Sequence, residues 1–378
     1  MSQRTSSEDT QLPAIDRSRR GLVMLPLLPE MPLVSVLITS YNHGCWVGGA
    51  VQSVLQQTYT NFEIIVCEDG STDNSMQVLS ALAQSDSRIT VIQQENRGQC
   101  GAFNTDFAAS KGDIICLLDC DDIFAPGKIE RVVRKFQSNP EFGTVANSVN
   151  LVDENGGVIQ EIRADREGYL GPSMFILRKN QVATQCSGLS FRRPVLDAIF
   201  PLPEDLRVAA DGAISGPALN IAATGAIPEV LSIWRIHSAN SGGAMSQLPT
   251  LSPKKIEETL DHLDFVLNHT SKFVSRRLGS TYDVSGFRLA IEYRLSLGIL
   301  RKDKGLVRQA SEALRNAFPR RAPDYTRARY LFWRTLAHLP FAISEPLMQF
   351  AYWVNKKRLT RTTRRGAGRQ QKASALTT

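Results

Sequence analysis

A dense run of carboxylates, Asp119-Cys120-Asp121-Asp122, directly follows the apolar segment Ile114–Leu118. Side chains two residues apart on an extended chain point the same way, so Asp119 and Asp121 can converge. Adjacent carboxylates repel unless a cation lies between them, and oxygen ligands suit Mg²⁺ or Mn²⁺. The run therefore predicts a divalent metal site. The alternative is an acidic helix start ahead of Pro126, where the helix dipole favours Asp.

A second acidic cluster, Glu68-Asp69-Gly70-Ser71-Thr72-Asp73, follows the apolar segment Phe62–Cys67. Its carboxylates could accept hydrogen bonds from a base N–H or from ribose hydroxyls, as an acidic residue does at a strand end in dinucleotide-binding folds. The same residues also suit a turn in which Thr72 or Asp73 caps the next helix. Taken alone, the cluster fits both interpretations.

The scaffold for these clusters follows from the apolar pattern. Short β-branched segments alternate with helical patterns, and the segments are Val34–Thr39, Phe62–Cys67, Ile89–Ile92 and Ile114–Leu118. This alternation predicts an α/β fold with a Rossmann-like, mostly parallel sheet and flanking helices. Ligands bind outside the carboxyl ends of such strands. Because Ser40–Asn42 and the two acidic clusters each follow a strand, all three groups are expected at one edge of the sheet.

The order and spacing of the segments from Val34 to Lys128 resemble the family 2 glycosyltransferases of the GT-A fold. The stretches that carry the resemblance are VSVLITSYN, SVLQQTY, FEIIVCEDGSTD, ENRGQCGAFN and KGDIICLLDCDDIFAPGK. The resemblance implies an enzyme that moves a sugar from a nucleoside-diphosphate donor to an acceptor hydroxyl. It also implies a divalent metal, Mn²⁺ or Mg²⁺, as cofactor.

The resemblance assigns roles on the donor side of the site. Thr39 and Tyr41 would flank the base, and Asp69 would accept a hydrogen bond from the base or the ribose. Asp119 and Asp121 would form the DxD motif, with Asp121 the metal ligand beside the diphosphate and Asp119 serving both donor and metal. The other donor-side residues are Glu68 (where the family usually has Asp), Asn96 of an Asn-x-Gly turn, and His237.

The second half of the chain matches the family more weakly. Asp211, in Ala210-Asp211-Gly212, would be the catalytic base, although Ala210 replaces the usual first acid. Its task would be to accept the proton of the acceptor hydroxyl during a single displacement, which implies inversion. The segment Trp234-Arg235-Ile236-His237 resembles the family's aromatic-Arg-x-His strand, with His237 near the diphosphate or metal. A helix cap for Asp211 and a structural role for His237 are the alternatives.

Composition and charge exclude several other classes of protein. The chain has 378 residues, 42% of them hydrophobic, with 44 Lys+Arg against 37 Asp+Glu, so the net charge is +7. These values exclude a wholly disordered or collagen-like chain. Residues 356–378 contain eight basic residues and no acidic one, which leaves a charge of −1 on the remainder. Because the excess charge is confined to a tail, we expect no nucleic-acid partner.

These patterns predict four parts: a disordered leader (1–30), a GT-A domain (31–245), a helical C-terminal region (250–355) and a disordered basic tail (356–378). Six cysteines without a CxxC pair favour free thiols and a cytoplasmic location. No apolar run is long enough to span a membrane. The aromatic-rich segment Tyr330–Val354 and the tail could contact the inner face of a membrane, or the segment could cap the catalytic domain.

The sequence thus predicts a metal-dependent glycosyltransferase with a nucleotide-sugar donor, a UDP-sugar being favoured, and a carbohydrate or glycoconjugate acceptor. Two alternatives remain open at this point. One is a non-catalytic relative that binds nucleotide sugars, and the other is a metal-dependent nucleotidyltransferase. The position and orientation of Asp211 distinguish the enzyme from the non-catalytic relative.

Overall fold

The computed structural model describes residues 21–171, 185–208, 210–237, 252–279, 288–317 and 324–351. Strands and helices alternate strictly through the first part of the fold. These elements are β1 (Val34–Ser40), α1 (Gly44–Leu55), β2 (Phe62–Glu68), α2 (Ser75–Ser85), β3 (Ile89–Gln93), α3 (Gly98–Ala109) and β4 (Ile114–Asp119). Every residue of β1 is buried, which explains why its sequence is a continuous apolar run instead of an alternating one.

The sheet continues with longer strands and mixed pairing. Its further elements are β5 (Ile123–Phe124), α4 (Lys128–Ser138), β6 (Phe142–Val152), β7 (Val158–Ile162), β8 (Leu189–Arg192), α5 (Arg193–Asp197), α6 (Ala210–Ile221) and β9 (Ala223–Arg235). The strand order is β3-β2-β1-β4-β8-β6-β9-β5, and β7 pairs with β6. β1 to β4 are parallel and so are β6 and β9, whereas β8 is antiparallel to both neighbours. The predicted α/β fold is confirmed.

Helices cover both faces of the sheet. On one face, Leu37 and Leu117 pack with Phe103 of α3 and Ile214 of α6. On the other face, the alternate residues of the same strands pack against α1, α2 and α4. This two-sided burial fixes the strands and leaves the loops at their carboxyl ends as the place where polar side chains can gather.

Residues 21–30 are packed on the domain, which differs from the prediction of a disordered leader up to residue 30. The backbone N–H of Val23 donates to the carbonyl of Ile221 at 3.0 Å, and the guanidinium of Arg192 donates to the carbonyl of Pro26. Leu28 packs against the core. Val23, Leu25 and Leu28 therefore pack on the sheet domain, whereas Met24 and Leu27 of the same run are exposed. The first 20 residues lie outside the described residues.

The C-terminal part is helical, as predicted. Its helices are α7 (Pro253–Leu278), α8 (Arg288–Arg301), α9 (Lys304–Ala317) and α10 (Asp324–His338), and residues 341–351 are also helical. α7 packs closely on α6 where Thr270 meets Gly216. A Cβ atom at Gly216 would lie only 2.3 Å from the hydroxyl of Thr270, so a larger residue would not fit there. In the described part of the chain, no helix has the length and apolarity required to cross a bilayer. The predicted basic tail 356–378 lies outside the described residues.

Candidate active site

Strand register brings the predicted polar clusters to one edge of the sheet. In the parallel ladder Thr39 pairs with Asp119, and Ser40 pairs with Glu68. The DxD loop therefore begins beside the turn that follows β1 and the acidic turn that follows β2. This arrangement follows from three parallel strands ending at the same level.

Asp121 lies between two histidines. Its Oδ2 atom is 3.0 Å from Nε2 of His237 and 3.9 Å from Nε2 of His43. One ligand atom from each of the three residues lies within 4.8 Å of the other two. His237, which follows β9, was predicted near the diphosphate or metal. Sequence reasoning missed His43, which lies in the turn after β1.

The tautomer of His43 follows from its surroundings. Its Nδ1 atom lies 2.6 Å from the carbonyl oxygen of Tyr41. A carbonyl accepts only from a protonated nitrogen, so Nδ1 carries a proton and Nε2 is the nitrogen through which this ring would bind a metal. That Nε2 atom is buried and has no hydrogen-bond partner among the described residues. A buried lone pair beside a carboxylate is the arrangement expected of a metal ligand whose other nitrogen is held in place.

Trp46 holds the ring of His237. The two rings stack with centroids 5.4 Å apart at 22°, and the guanidinium of Arg235 lies 4.4 Å from the centroid of Trp46 on α1. The backbone N–H of Arg235 also donates to Oδ1 of Asp122 at 3.0 Å. The end of β9 and the DxD loop are thereby tied together, which fixes the position of His237 relative to Asp121.

Asp119 has a different environment from Asp121. Its Oδ1 atom accepts a hydrogen bond from Nε2 of Gln99 at 3.2 Å. Burial, together with the negative charges of Asp121 and Asp211, raises the pKa of Asp119 to about 8. Asp119 is not part of the His43–Asp121–His237 group. Its role as a metal ligand stays a prediction.

Asp211 lies in the first turn of α6, next to Ala210, whose backbone N–H is linked to Asp119 through the side chain of Gln99. Its negative charge contributes to the raised pKa values of Asp119 and of the Cys186 thiol. Burial raises the pKa of Asp211 itself to about 6, although the backbone N–H of Gly212 donates to its Oδ1 at 2.8 Å. A carboxylate with a pKa near 6 remains ionised at neutral pH and is a stronger base than an ordinary aspartate.

Gln99 connects Asp119 with the helix that carries Asp211. Its side-chain amide donates to Asp119, while Oε1 accepts the backbone N–H of Ala210 at 3.1 Å. Its own backbone N–H donates to the carbonyl of Arg207 at 2.9 Å. Gln99 was not predicted from the sequence, since a glutamine in the first turn of a helix carries no distinctive pattern.

A buried polar network supports the DxD loop from below. The Ser187 hydroxyl donates to Oδ2 of Asp122 at 2.5 Å and accepts the backbone N–H of Asp119 at 3.1 Å. The ammonium nitrogen of Lys128 lies 2.5 Å from the carbonyl of Ser187 and 3.6 Å from the ring centroid of Phe124. Burial lowers the pKa of Lys128 to about 7. Ser187 and Lys128 thus anchor the DxD loop.

The acidic turn after β2 is bound to the start of α3. Oδ1 of Asp69 accepts from Nε2 of Gln94 at 2.7 Å and from the backbone N–H of Arg97 at 2.8 Å, and Oδ2 accepts from Gly98. Oε1 of Glu68 accepts the backbone N–H of Ser71 at 2.6 Å. Through these contacts the cluster holds the turn after β2 against the start of α3 at this edge of the sheet. The donor-side roles of Asp69 and Glu68 stay predictions.

The remaining predicted donor residues lie at the same edge. Thr39 is buried at the end of β1, whereas Tyr41 is 45% exposed and able to contact a ligand. The side-chain oxygen of Asn96 accepts a hydrogen bond from Arg207. The roles of these three residues toward a donor stay predictions.

Comparison with known proteins agrees with this fold. Residues 35–200 match the family described as glycosyl transferase family 2. An uncharacterized glycosyltransferase of Nostoc sp. is 35% identical over 249 residues, which is 62% of this chain and 76% of the relative. The chondroitin synthase of Escherichia coli is 33% identical over 132 residues, 35% of this chain and 19% of that protein. The match to the Nostoc protein spans most of that relative.

The fold also matches a solved structure. Residues 1–349 of TarS from S. aureus, in complex with UDP-GlcNAc, superpose with a TM-score of 0.54 at 14% identity, covering 88% of this chain and 92% of that one. The sheet with helices on both faces places the chain in the α/β class. The chain belongs to glycosyl transferase family 2, and it is a glycosyltransferase.

Proposed function

We propose that this protein transfers a sugar from a UDP-sugar to a hydroxyl group of a carbohydrate or glycoconjugate acceptor, with a divalent metal held at Asp121. The observation that carries the proposal is the convergence of His43, Asp121 and His237 at the edge of the sheet to which Gln99 ties the start of α6, the helix of Asp211. A metal ligand group and a buried base at one edge are the parts that such a transfer requires.

The residues present fit a divalent metal. Two imidazole nitrogens and one carboxylate oxygen lie close enough to share one ion, and Nε2 of His43 has no partner among the described side chains. When bound, the metal neutralises negative charge that develops on the leaving diphosphate. A group with two nitrogens differs from the all-oxygen site predicted from the sequence, and it favours Mn²⁺ over Mg²⁺, which prefers oxygen ligands.

Asp211 supplies the proton chemistry on the acceptor side. Its carboxylate takes the proton of the acceptor hydroxyl as the hydroxyl oxygen bonds to the anomeric carbon, and the bond from that carbon to the diphosphate oxygen breaks. One displacement of this kind inverts the configuration at the anomeric carbon. The pKa of about 6 for Asp211 keeps the carboxylate ionised at neutral pH.

Similarity supports the proposed donor and acceptor classes. The TarS structure contains UDP-GlcNAc, and this chain shares its fold at 14% identity. Chondroitin synthases are among the relatives, although this chain spans 19% of the one from E. coli. From these two similarities we infer that the donor is a uridine-diphosphate sugar and that the product is a polysaccharide or glycoconjugate. Residues 31–245 would form the catalytic domain and residues 250–355 its helical extension.

A non-catalytic relative that binds nucleotide sugars is the competing function. It would lack a base beside the metal group. The Gln99 bridge argues against it, because it links Asp119 to the backbone N–H of Ala210, the neighbour of Asp211 at the start of α6.

The experiment compares wild-type protein with Asp121→Asn and with the surface control Asp86→Asn, whose carboxylate pairs with exposed Arg88. Sugar nucleotides of each base are tested with Mn²⁺ by thermal shift, because ligand binding stabilises the native state. Release of nucleoside diphosphate in the presence of candidate saccharide acceptors measures transfer. We expect Mn²⁺-dependent stabilisation by UDP-sugars that is lost in Asp121→Asn and retained in Asp86→Asn. Undiminished transfer by a folded Asp121→Asn protein would refute the metal assignment.

A further inference from the structure

The C-terminal helices form a cavity of about 610 Å³ that lies outside the proposed transfer site. One wall is α9, and the other is the end of α10 with the residues that follow it. Basic side chains line the α9 wall, and apolar groups such as Leu339 and Phe341 line the other. No acidic side chain is among the described residues that line the cavity. The cavity is therefore suited to a ligand with an anionic part and an apolar part.

The basic residues form a stripe along one face of α9. Lys304, Arg308 and Arg315 recur at spacings of four and seven residues, with Ser311 between them. Residues at these spacings stack on successive turns of a helix, so the stripe runs for about 16 Å along α9. Arg315 lies 3.9 Å from the carboxylate of Glu312, a contact at the edge of the stripe. Three cations in a row present a positive surface long enough for a phosphate group and its neighbours.

Ser311 provides a second, independent indication of a ligand. Its side chain lines the cavity and the residue is 5% exposed, yet its hydroxyl has no hydrogen-bond partner among the described residues. Leaving a buried hydroxyl without a partner is unfavourable, and such groups are uncommon in native proteins. A ligand oxygen in the cavity would satisfy this hydroxyl between the two arginines.

We propose that this cavity binds the phosphate headgroup and the adjoining chain of an anionic lipid, and that it docks the C-terminal helices on a membrane surface. The helix at 341–351 begins at the cavity and exposes Ile343 (49%) and Leu347 (45%) four residues apart on one face. The eight basic residues of 356–378 add positive charge just beyond this helix in the sequence. Apolar side chains beside basic groups are the combination that binds an anionic bilayer.

A lipid is favoured over a soluble phosphate for two reasons. A free phosphate would leave the apolar wall of the cavity in contact with water, whereas a lipid chain would cover it. The exposed face of Ile343 and Leu347 would likewise remain in water unless a bilayer covered it. The proposal does not depend on the sugar chemistry, so each can fail without the other.

The experiment measures sedimentation of the full chain with vesicles of phosphatidylcholine alone and of phosphatidylcholine mixed with phosphatidylglycerol. The test variant is Lys304→Glu/Arg308→Glu. The control is Arg131→Glu/Arg134→Glu, which makes the same change in net charge on α4, where both arginines are exposed. A third variant, Ile343→Ser, tests the apolar contact. Circular dichroism and melting temperature establish that each variant is folded.

We expect wild-type protein to bind the anionic vesicles and the Lys304→Glu/Arg308→Glu protein to bind them about tenfold more weakly, while the α4 control keeps its affinity. Ile343→Ser should also weaken binding. Equal losses of vesicle binding in both double variants would assign binding to the net charge of the protein. No loss of binding in either variant would assign it to the tail. Each of these two results would overturn the proposal. In a third outcome, inorganic phosphate raises the melting temperature of wild type and not that of Lys304→Glu/Arg308→Glu, while vesicle binding is the same in both proteins. That result would identify a soluble phosphate ligand and would also overturn the proposal.

Discussion

Nε2 of His237 lies 3.0 Å from Oδ2 of Asp121, although 116 residues separate them in the sequence. The contact joins the end of β9 to the loop after β4. Nε2 of His43 lies 3.9 Å from the same carboxylate oxygen. Because the ring of His237 is stacked on Trp46 and the ring of His43 is held by the carbonyl of Tyr41, both imidazoles are oriented before any ligand binds.

The first prediction concerns metal affinity. His43→Ala should weaken Mn²⁺ binding by about tenfold or more, because it removes one of three ligand atoms in a group that is already oriented. His237→Ala should have an effect of similar or larger size. Titration calorimetry or electron paramagnetic resonance with Mn²⁺ measures the affinity without any need for turnover. The matched control is His262→Ala, which removes an exposed histidine on α7. Unchanged Mn²⁺ affinity in a folded His43→Ala protein would exclude His43 as a ligand.

The second prediction concerns the base. Asp211→Asn keeps the size of the side chain but cannot accept a proton, so we expect kcat to fall by a factor of about 10² to 10⁴. Donor affinity should change little, since Asp211 is assigned to the acceptor side. Steady-state kinetics at varied donor concentration separate the two effects. A variant whose donor KM rises while kcat is unchanged would place Asp211 on the donor side instead.

The third prediction is the pH dependence of the rate. Burial raises the pKa of Asp211 to about 6, and the base must be deprotonated to work. As pH falls below about 6 the carboxylate becomes protonated, so kcat/KM should fall about tenfold per pH unit there and level off above pH 7. Profiles are recorded at saturating Mn²⁺. A rate that stays constant down to pH 5 would show that no group with this pKa acts as the base.

The fourth prediction concerns Gln99, which bridges Asp119 and the backbone N–H of Ala210. Gln99→Ala removes both hydrogen bonds and should lower kcat by about tenfold, because small displacements of reacting groups are costly in rate. Gln99→Glu retains the acceptor oxygen but places a negative charge beside Asp119. We therefore expect a lower kcat for Gln99→Glu than for Gln99→Ala. Gln84→Ala, on the surface of α2, is the control. Equal activity of the alanine variant and wild type would show that the bridge does not position the base.

Much of this fold follows from local sequence rules, and much of the site does not. The buried strands β1, β2 and β4 are continuous apolar runs, so the parallel sheet and the edge where the polar turns meet were predictable. The partners of the polar groups depend on contacts between distant segments. His43 was read as part of a turn, and nothing local distinguishes it from a surface histidine until β9 brings His237 beside it.

The apolar segment at residues 21–30 illustrates the same limit. Its leucines and prolines carry no helical or strand period, so a disordered leader was the simplest prediction. The structure places this segment against the core, where the guanidinium of Arg192 binds the carbonyl of Pro26. That pairing gives one guanidinium nitrogen of the buried Arg192 an acceptor, a requirement that becomes visible once β8 is placed inside the sheet.

The last prediction concerns Lys128, which is fully buried beneath the DxD loop. Burial lowers its pKa to about 7, well below the value of about 10.4 for an unfolded chain. Between these values the unfolded chain binds a proton that the folded protein does not, so stability falls as pH drops from about 10 to about 7. Lys128→Met removes this titration. The carbonyl of Ser187 keeps a donor in the hydroxyl of Ser232, so the variant should fold.

Urea unfolding of wild type and Lys128→Met at pH 7.0 and pH 8.5 measures the effect. The difference in unfolding free energy between the two proteins should shift by up to about 2 kcal/mol over this interval, with wild type gaining at the higher pH. Buried cysteines that do not interact with Lys128 cancel in the difference, whereas the pKa of the Cys116 thiol, which burial raises, is also affected by the charge of Lys128. A difference that does not change with pH would mean that Lys128 is protonated in the folded state, stabilised by Asp122 and the ring of Phe124. In that case the DxD loop would rest on a buried ion pair, and Lys128→Met should then reduce metal affinity as well as stability.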